Sequence, residues 1–457
     1  MASIIKRKSK YSVVYYCTDE NGEKRQHWET WNTHQEAKKR KAEVEHKINE
    51  GTFVPPSAQT VSEFLYDFVA LYGEKKWGVS AYDSNMGLIG NYINPLIGNV
   101  PIQEINPKSV DEFYKRLQKT NSVVCNNRKP KSEYVTASVV EKVHKLLKCA
   151  FTQAVRWELL SKNPFEHALT PKVYKKRREI WTPDMISNAL KTCKDSKLYI
   201  AMTLSFACSL RVGEVLGLTW DNIHISDAEI VSDEAYIFID KELQRCSKKT
   251  METLYKKDII KVFPPLMPNT STRVVLKTPK TESSVRKVYL PKTTSYLLQE
   301  WKKGQDELKE FLGDEYTDNN LVIALPNGRP CENRVLQKSF ETLRKEAGLP
   351  DVVFHSLRHS SATYKLKLSH GDLKSVEGDG GWASSAMVTE IYSHILDEDR
   401  KVNAQKFEAS FYANLHNVKP PAEPDTAVDL QALVTQLKQS PELADALRQI
   451  LNQNTHA

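Results

Sequence analysis

Alternating and helical patterns of apolar residues predict a small sheet-and-helix module at the amino terminus. Alternation in YSVVYYC and RQHWETW predicts two strands, joined by the turn DENGEK. The next stretch, THQEAKKRKAEVEHKINEG, predicts a helix that Thr33 caps and Gly51 follows. These elements define an amino-terminal module over residues 1–53, and FVPPSAQ after it is typical of a linker.

Residues 60–170 predict a helical module. TVSEFLYDFVALY repeats apolar residues at helical spacing, with Thr60 as its cap. In ASVVEKVHKLLKCAFTQAVRWELL one apolar stripe follows the helical repeat, and NPF ends the helix. The stripe consists of Val139, Val143, Leu146, Ala150 and Ala154.

The largest module is predicted over residues 175–415, after the basic joint KVYKKRREIWTP. Its first helix has Thr182 as cap and Pro183 in the first turn. AYIFID predicts a strand, and RVVLKTPKTESSVRKVYLP predicts a β-hairpin. Residues 416–457 form a tail with two amphipathic helical pieces. The predicted fold class is mainly α with small β-sheets (α+β), in several domains.

The charge balance favours a polyanionic partner such as nucleic acid. The 457 residues carry a net charge of +8, with 40% hydrophobic residues, which suits folded domains. The basic clusters predicted to contact DNA are Lys6, Arg7, Lys8, Lys39, Arg40, Lys142, Lys145, Lys175, Lys176, Arg177 and Arg178. The alternative is an ordinary solvated basic surface.

Cysteine usage and hydropathy favour a cytoplasmic protein. The seven cysteines are scattered and form no C-x-x-C pair, which suits reduced thiols. The basic amino terminus lacks the apolar run of a secretory signal, and no stretch reaches the length of a membrane span. No G-x-x-x-x-G-K-[ST] loop is present, so no nucleotide cofactor is expected.

Four short segments contain a set of residues suited to phosphoryl chemistry. They are CSLRVGEVLGLTW with Arg211 and Glu214, TPKTESSVRKVYL with Lys280, HSLRH with His355 and Arg358, and GDGGWASSAMVTEIYSH with Trp382 and Tyr392. Two guanidiniums match the charge on the non-bridging oxygens of a phosphodiester attacked by a tyrosine. A lysine can protonate the leaving oxygen, and a histidine can hold the proton of the phenol.

Each residue also has a simpler interpretation. Arg211 can pair with Glu214 one turn on, and Lys280 can be a solvated turn lysine, with Arg286 or Lys287 as the true contact. His355 and His359 are four apart, as metal ligands on a helix can be, but no third ligand stands out, so no metal is expected. Neither cofactor nor metal is required, because a phosphotyrosyl bond conserves the energy of the broken strand.

In this order and spacing, the four segments resemble the tyrosine recombinase family of phage and transposon integrases. The resemblance covers nearly the whole chain: 1–53 is similar to an arm-site DNA-binding module, 60–170 to a core-binding domain and 175–415 to a catalytic domain. It implies that the catalytic residues are Arg211, Lys280 in a hairpin, His355, Arg358, Trp382 and the nucleophile Tyr392. Most such integrases carry histidine where this chain has Trp382, so a packing role with one donor is expected there.

The resemblance implies a site-specific recombinase that integrates and excises a mobile element through a 3′-phosphotyrosyl intermediate. The implied partners are double-stranded DNA at core and arm sites, three further copies in a tetramer, an excisionase and a host DNA-bending protein, with no membrane. The alternatives are a non-cleaving regulator or decayed integrase, and a type IB topoisomerase-like enzyme. We expect the lysine-rich insertion, residues 241–270, to touch DNA or a neighbouring subunit, and the tail to support tetramer assembly.

Overall fold

The computed structural model describes residues 2–18, 24–50, 53–54, 58–123, 132–173, 179–369, 371–382 and 396–410. Contacts divide the chain into two units, Met1–Lys365 with Leu373–Val388 and Leu366–Asp372 with Thr389–Ala457. Several residues of predicted function lie outside the described residues: Lys175, Lys176, Arg177, Arg178, Tyr392 and the tail. The fold is helical with small antiparallel sheets, so the predicted class is confirmed.

The amino-terminal elements form a three-stranded sheet covered by one helix. They are β1 (Ser3–Arg7), β2 (Lys10–Thr18), β3 (Lys24–Trp31) and α1 (His34–Asn49), with β2 in the centre of the sheet. Val13 and Tyr15 on one face of β2 share a buried cluster with Ala37 and Val44 of α1. The helix begins at the predicted cap, because the Thr33 hydroxyl accepts from an amide in the first turn.

The helical module consists of short helices around one apolar core. Its elements are α2 (Val61–Phe68), α3 (Glu74–Lys76), α4 (Val79–Leu88), α5 (Asn94–Ile97), α6 (Pro107–Gln118) and α7 (Ala137–Arg156). Thr60 caps α2, and π-helical turns at Val69–Gly73 and Ile89–Ile93 join α2 to α3 and α4 to α5. The predicted stripe of α7 is buried apart from Val139, which is half-buried.

The large module surrounds a second apolar core. Its helices are α8 (Pro183–Thr192), α9 (Ser196–Ala207), α10 (Val212–Gly217), α11 (Asp227–Val231), α12 (Lys248–Thr253), α13 (Lys292–Leu312), α14 (Asn333–Glu346), α15 (Ser356–Leu368) and α16 (Leu373–Gly380). Its strands are β4 (Ile223–His224), β5 (Tyr236–Ile239), β6 (Glu242–Ser247), β7 (Ile259–Val262), β8 (Thr272–Lys277) and β9 (Arg286–Tyr289). In the second unit, α17 spans Leu396–Ser410.

The predicted hairpin over residues 273–291 is wrong, because its two strands belong to different sheets. One sheet has the order β4-β5-β9 and the other β6-β8-β7. The insertion supplies β6 and β7, which take both edges of β8 and leave β9 to pair with β5. Lys280 therefore lies in a loop between two sheets rather than in a hairpin turn.

No helix among the described residues is long and apolar enough to cross a lipid bilayer.

Candidate active site

A left-handed backbone turn places Arg211 at the start of α10. Ser209 is fully buried and has a φ of 55°, an unusual value for a residue other than glycine. Its hydroxyl lies 2.6 Å from the hydroxyl of Ser361 on α15, and this contact holds the turn between α9 and α10. The strained turn directs the chain so that Arg211 becomes the residue before the helix.

The carboxylate of Glu214 is the centre of the site. Glu214 is 1% exposed and accepts from the Arg211 side chain (Nη1–Oε1, 2.5 Å) and from the Arg211 amide (2.9 Å). Arg286 donates to both of its oxygens, and Nη1 of Arg358 lies 4.0 Å from Oε2. Although burial opposes ionisation, the Arg286 and Arg211 guanidiniums hold the pKa of Glu214 below its ordinary value of 4.5. The carboxylate is therefore ionised and orients three arginines.

Arg358, on α15, reaches the same place from a distant part of the sequence. Its side chain is 2% exposed and donates to the carbonyl oxygens of Ser209 and Gly380. Its guanidinium also lies over the ring of Trp382, 4.2 Å from the centroid. Trp382 is buried, so this stacking agrees with the packing role expected from the sequence.

Gly381 brings the backbone at the end of α16 into contact with Arg211. The carbonyl of Gly381 accepts from Nη2 of Arg211 at 2.8 Å. Gly381 has a φ of +60°, and a Cβ there would lie 2.7 Å from the Ser283 carbonyl oxygen. Only glycine fits this position. Arg286 fixes the same segment through a bond from its Nε to the Asp379 carbonyl at 2.7 Å.

Lys280 faces a cleft beside these arginines. A cavity of about 600 Å³ is lined by Arg211, Lys280 and Lys277 on one side and by the start of α4 on the other. Lys280 is exposed. The alternative contact Lys287 is also exposed, but its ammonium lies over the rings of Tyr236 and Tyr289. Arg286 and Lys287 thus do not take the place of Lys280 in the cleft.

His355 precedes the first residue of α15 and is half-buried. Its ring makes an edge-to-face contact with the ring of His359, with 5.0 Å between centroids. Among the described residues, no cluster of three or more histidine, cysteine or acidic side chains is arranged to hold a metal ion.

The basic residues predicted to contact DNA have different surroundings. Arg7 stacks on Trp28 at 4.3 Å, and Lys6 lies over Tyr11, both on the sheet of the amino-terminal module. Lys8, Lys39, Lys142 and Lys145 are exposed. Arg40 instead donates to both oxygens of Glu29, which favours a role in holding α1 to β3.

Sequence reasoning missed part of the site. It weighed Arg286 only as a substitute for Lys280, whereas the structure buries Arg286 against Glu214. It gave no role to Ser209 or Lys277. The available signal for Arg286 was its alternation with Lys287 in a strand, which turns one of the two side chains inward.

Comparisons with known proteins find integrases and tyrosine recombinases. The phage integrase family model matches residues 267–399. The ICEBs1 integrase of Bacillus subtilis (strain 168) is 21% identical over 340 residues, covering 72% of this chain and 77% of the relative. A tyrosine recombinase XerC-like protein of Caldanaerobacter subterraneus subsp. tengcongensis is 23% identical over 396 residues, covering 84% and 92%.

A similar fold is also found among solved structures. The Tn1549 transposon integrase, in complex with transposon right end DNA, superposes with a TM-score of 0.56 at 18% identity. The match covers 76% of this chain and 99% of that one, which shows a shared fold. Residues 267–399 thus match the phage integrase family, the chain is similar over most of its length to integrases and tyrosine recombinases, and it is an enzyme that cleaves and rejoins DNA.

Proposed function

We propose that Arg211 and Arg358 bind the scissile phosphate while this recombinase integrates and excises a mobile element. One observation supports this most strongly: two arginines 147 positions apart (358 − 211) meet at one buried carboxylate beside an open cleft. Glu214 orients the Arg211 guanidinium, which also lines the cleft where a phosphate would bind. In the phosphorane-like transition state, that charge stabilises the non-bridging oxygens.

Tyr392 and Lys280 have different roles in strand cleavage: Tyr392 is the nucleophile, and Lys280 is the proton donor to the leaving oxygen. The Tyr392 oxygen attacks phosphorus and becomes joined to the 3′-phosphate, while the bond to the 5′-oxygen breaks. Lys280 gives a proton to the departing 5′-oxygen, and His355 accepts or holds the phenolic proton. The free 5′-hydroxyl of the partner strand then attacks the phosphotyrosine and releases the enzyme. Trp382 packs against Arg358 and fixes its guanidinium.

DNA recognition is divided between modules. The helical and large modules clamp the core site, with Lys142 and Lys145 on the exposed face of α7 and with Lys175, Lys176, Arg177 and Arg178 in the basic joint. The amino-terminal module binds separate arm sites through the sheet that presents Lys6, Arg7 and Lys8. Four protomers act on two duplexes; an excisionase and a host bending protein stay predictions.

A nicked duplex that traps the covalent intermediate tests the proposal. The substrate is built on direct repeats found in the DNA flanking the gene, with a nick that lets the short cleaved strand diffuse away. We expect a covalent protein–DNA adduct with the full chain and none with Tyr392→Phe. Tyr364→Phe, at an exposed tyrosine stacked on Phe206, is the matched control and should form the adduct normally.

The nicked duplex, a supercoiled plasmid that carries the site and a pair of intact sites together separate the alternatives. DNA binding without any adduct would indicate a non-cleaving regulator or decayed integrase. An adduct with relaxation of supercoils, but without strand exchange between two sites, would indicate a topoisomerase-like enzyme.

A further inference from the structure

The sheet β6-β8-β7 lies between the cores of the helical and large modules. Leu243 of β6 and Leu276 of β8 belong to the core of the large module. Their neighbours on the opposite face, Cys246 and Val275, belong to the core of the helical module. Because successive strand residues point to opposite faces, one short sheet is buried on both sides.

The insertion docks on the helical module of its own chain. Met251 of α12 and Leu254 are 6% and 4% exposed within that apolar core. The hydroxyl of Thr250 donates to Asp83 of α4, and the ammonium of Lys257 donates to the Lys75 carbonyl at 2.7 Å. The insertion therefore packs within its own protomer. The sequence analysis had expected it to contact DNA or a neighbouring subunit.

An ion pair between the buried Lys277 and the half-buried Glu242 ends this sheet at the edge of the cleft. Lys277, the last residue of β8, is 6% exposed and donates to Oε1 of Glu242 at 2.7 Å. The Lys277 ammonium also donates to the Thr278 carbonyl at 2.8 Å. The Thr278 amide donates to the Asp258 carbonyl, in the turn before β7, at 2.9 Å. Both backbone polar groups of Thr278, two residues before Lys280, are therefore held by β8 and by the turn before β7.

The same sheet touches the helix that follows Arg211. A Cβ on Gly217 of α10 would lie 2.6 Å from the Leu243 amide nitrogen, so helix and strand are in direct backbone contact. Gly213, one turn earlier, faces the Leu243 carbonyl, at 3.3 Å from an added Cβ. The sheet thus links α10 to the loop of Lys280.

We propose that Lys277, with Glu242, is a positioning residue that aims Lys280 at the leaving oxygen. This rests on the proposed role of Lys280 as proton donor. A buried ammonium is costly unless it is paired, and an apolar pair of similar volume often serves stability equally well. A role in stability alone therefore does not explain the ion pair, whereas its bond to Thr278 fixes the start of the loop.

A sulfur substitution at the scissile phosphate separates positioning from folding. In a duplex with a 5′-bridging phosphorothiolate, the leaving group is a thiolate, which departs without a proton because thiols are far more acidic than alcohols. We expect Lys280→Ala to cleave the ordinary nicked duplex about 10²–10⁴-fold more slowly and the sulfur duplex at the wild-type rate. We expect Lys277→Met and Glu242→Gln to show the same pattern, with a loss of about 10–100-fold on the ordinary duplex.

The controls decide between the remaining interpretations. Lys287→Met, at an exposed lysine stacked on tyrosines, should leave both rates unchanged. If the single variants melt below the assay temperature, the apolar pair Lys277→Met with Glu242→Leu replaces them, with the same expected rescue by sulfur. Gel mobility shifts with each full-length variant on the ordinary duplex should show the same DNA binding as the wild-type chain.

Two different failures are distinguishable. If sulfur does not rescue Lys280→Ala, the proposed proton donor is wrong, and the positioning role falls with it. If sulfur rescues Lys280→Ala, but Lys277→Met is as fast as wild type or equally slow on both duplexes, only the positioning role is overturned.

Discussion

Two carboxylates in this chain are bound by arginines, and their surroundings differ. Glu29 in the amino-terminal module accepts two hydrogen bonds from Arg40, with side chains 17% and 25% exposed. Glu214 in the large module is 1% exposed and lies among Arg211, Arg286 and Arg358. The first carboxylate is partly hydrated and bound by one arginine of α1, whereas the second is almost fully buried among three guanidiniums.

We infer from this difference that the Glu29–Arg40 pair stabilises the fold, whereas the arginines around Glu214 are arranged to bind a ligand. The Arg40–Glu29 pair joins α1 to β3, so we expect phosphate contacts on that module from exposed residues such as Arg7. Glu214 orients the arginines of the large module, and Arg211 also lines the cleft. We expect a phosphate in the cleft to bind there.

Replacing each glutamate by glutamine gives the largest expected contrast. Glu214→Gln removes the anion beside two buried guanidiniums, Arg286 and Arg358, so the free energy of unfolding should fall by about 3–5 kcal/mol. Glu29→Gln should cost about 1 kcal/mol, because water reaches that pair. Denaturant titrations of both variants measure the difference. Equal losses would show that burial does not distinguish the two sites.

Removing Arg211 should affect chemistry more than stability. We expect Arg211→Ala to slow formation of the covalent adduct about 10²–10³-fold, because one donor to the non-bridging oxygens is lost. Binding to the same duplex should change little. Arg344→Ala on α14, at a partly exposed arginine paired with Asp351, is the matched control and should cleave normally. Normal cleavage by Arg211→Ala would show that Arg211 does not bind the scissile phosphate.

The pH dependence of stability should report on Glu214. The neighbouring arginines hold its folded pKa below 4.5, so the unfolded chain takes up the proton more readily. Stability from this group is therefore fully present above pH 4.5 and is lost as the pH falls through the lowered folded pKa. Glu214→Gln, which cannot titrate, should lose less stability between about pH 6 and pH 3. Parallel curves of stability against pH for the wild type and Glu214→Gln would show that Glu214 does not cause this pH dependence.

The smallest expected effect lies on the amino-terminal sheet. Arg7→Ala should reduce by about 1 the slope of log binding constant against log salt for an arm-site duplex. Cleavage at the core site should not change. Arg116→Ala, at an exposed arginine on α6, should leave the arm-site slope as it is. An unchanged slope for Arg7→Ala would place the phosphate contacts elsewhere on the module.

Local signals in the sequence predicted the element boundaries well. Thr33, Thr60 and Thr182 each accept from an amide in the first turn of their helices, as expected from residues within a few positions. The fold class follows from such local patterns together with the family resemblance. Tyr392 lies outside the described residues, so its role stays a prediction.

Pairings between distant strands were not predictable in the same way. Residues 273–291 have the alternation and turn of a hairpin, but the partners of β8 come from the insertion. The sequence analysis gave Lys277 no role, because its partner Glu242 is 35 positions away. One signal was available: the unbroken apolar run Val274–Leu276 is typical of a strand covered on both faces.

The doubly covered sheet has a consequence for engineering altered target choice. A helical module transplanted from a relative would meet Cys246, Met251, Leu254 and Val275, which fit only the native module. A graft that stops at the interdomain linker therefore leaves mismatched apolar surfaces beside the loop of Lys280. Exchanging α12, β6 and β7 together with the donor helices would keep the contact between the sheet and the helical module intact.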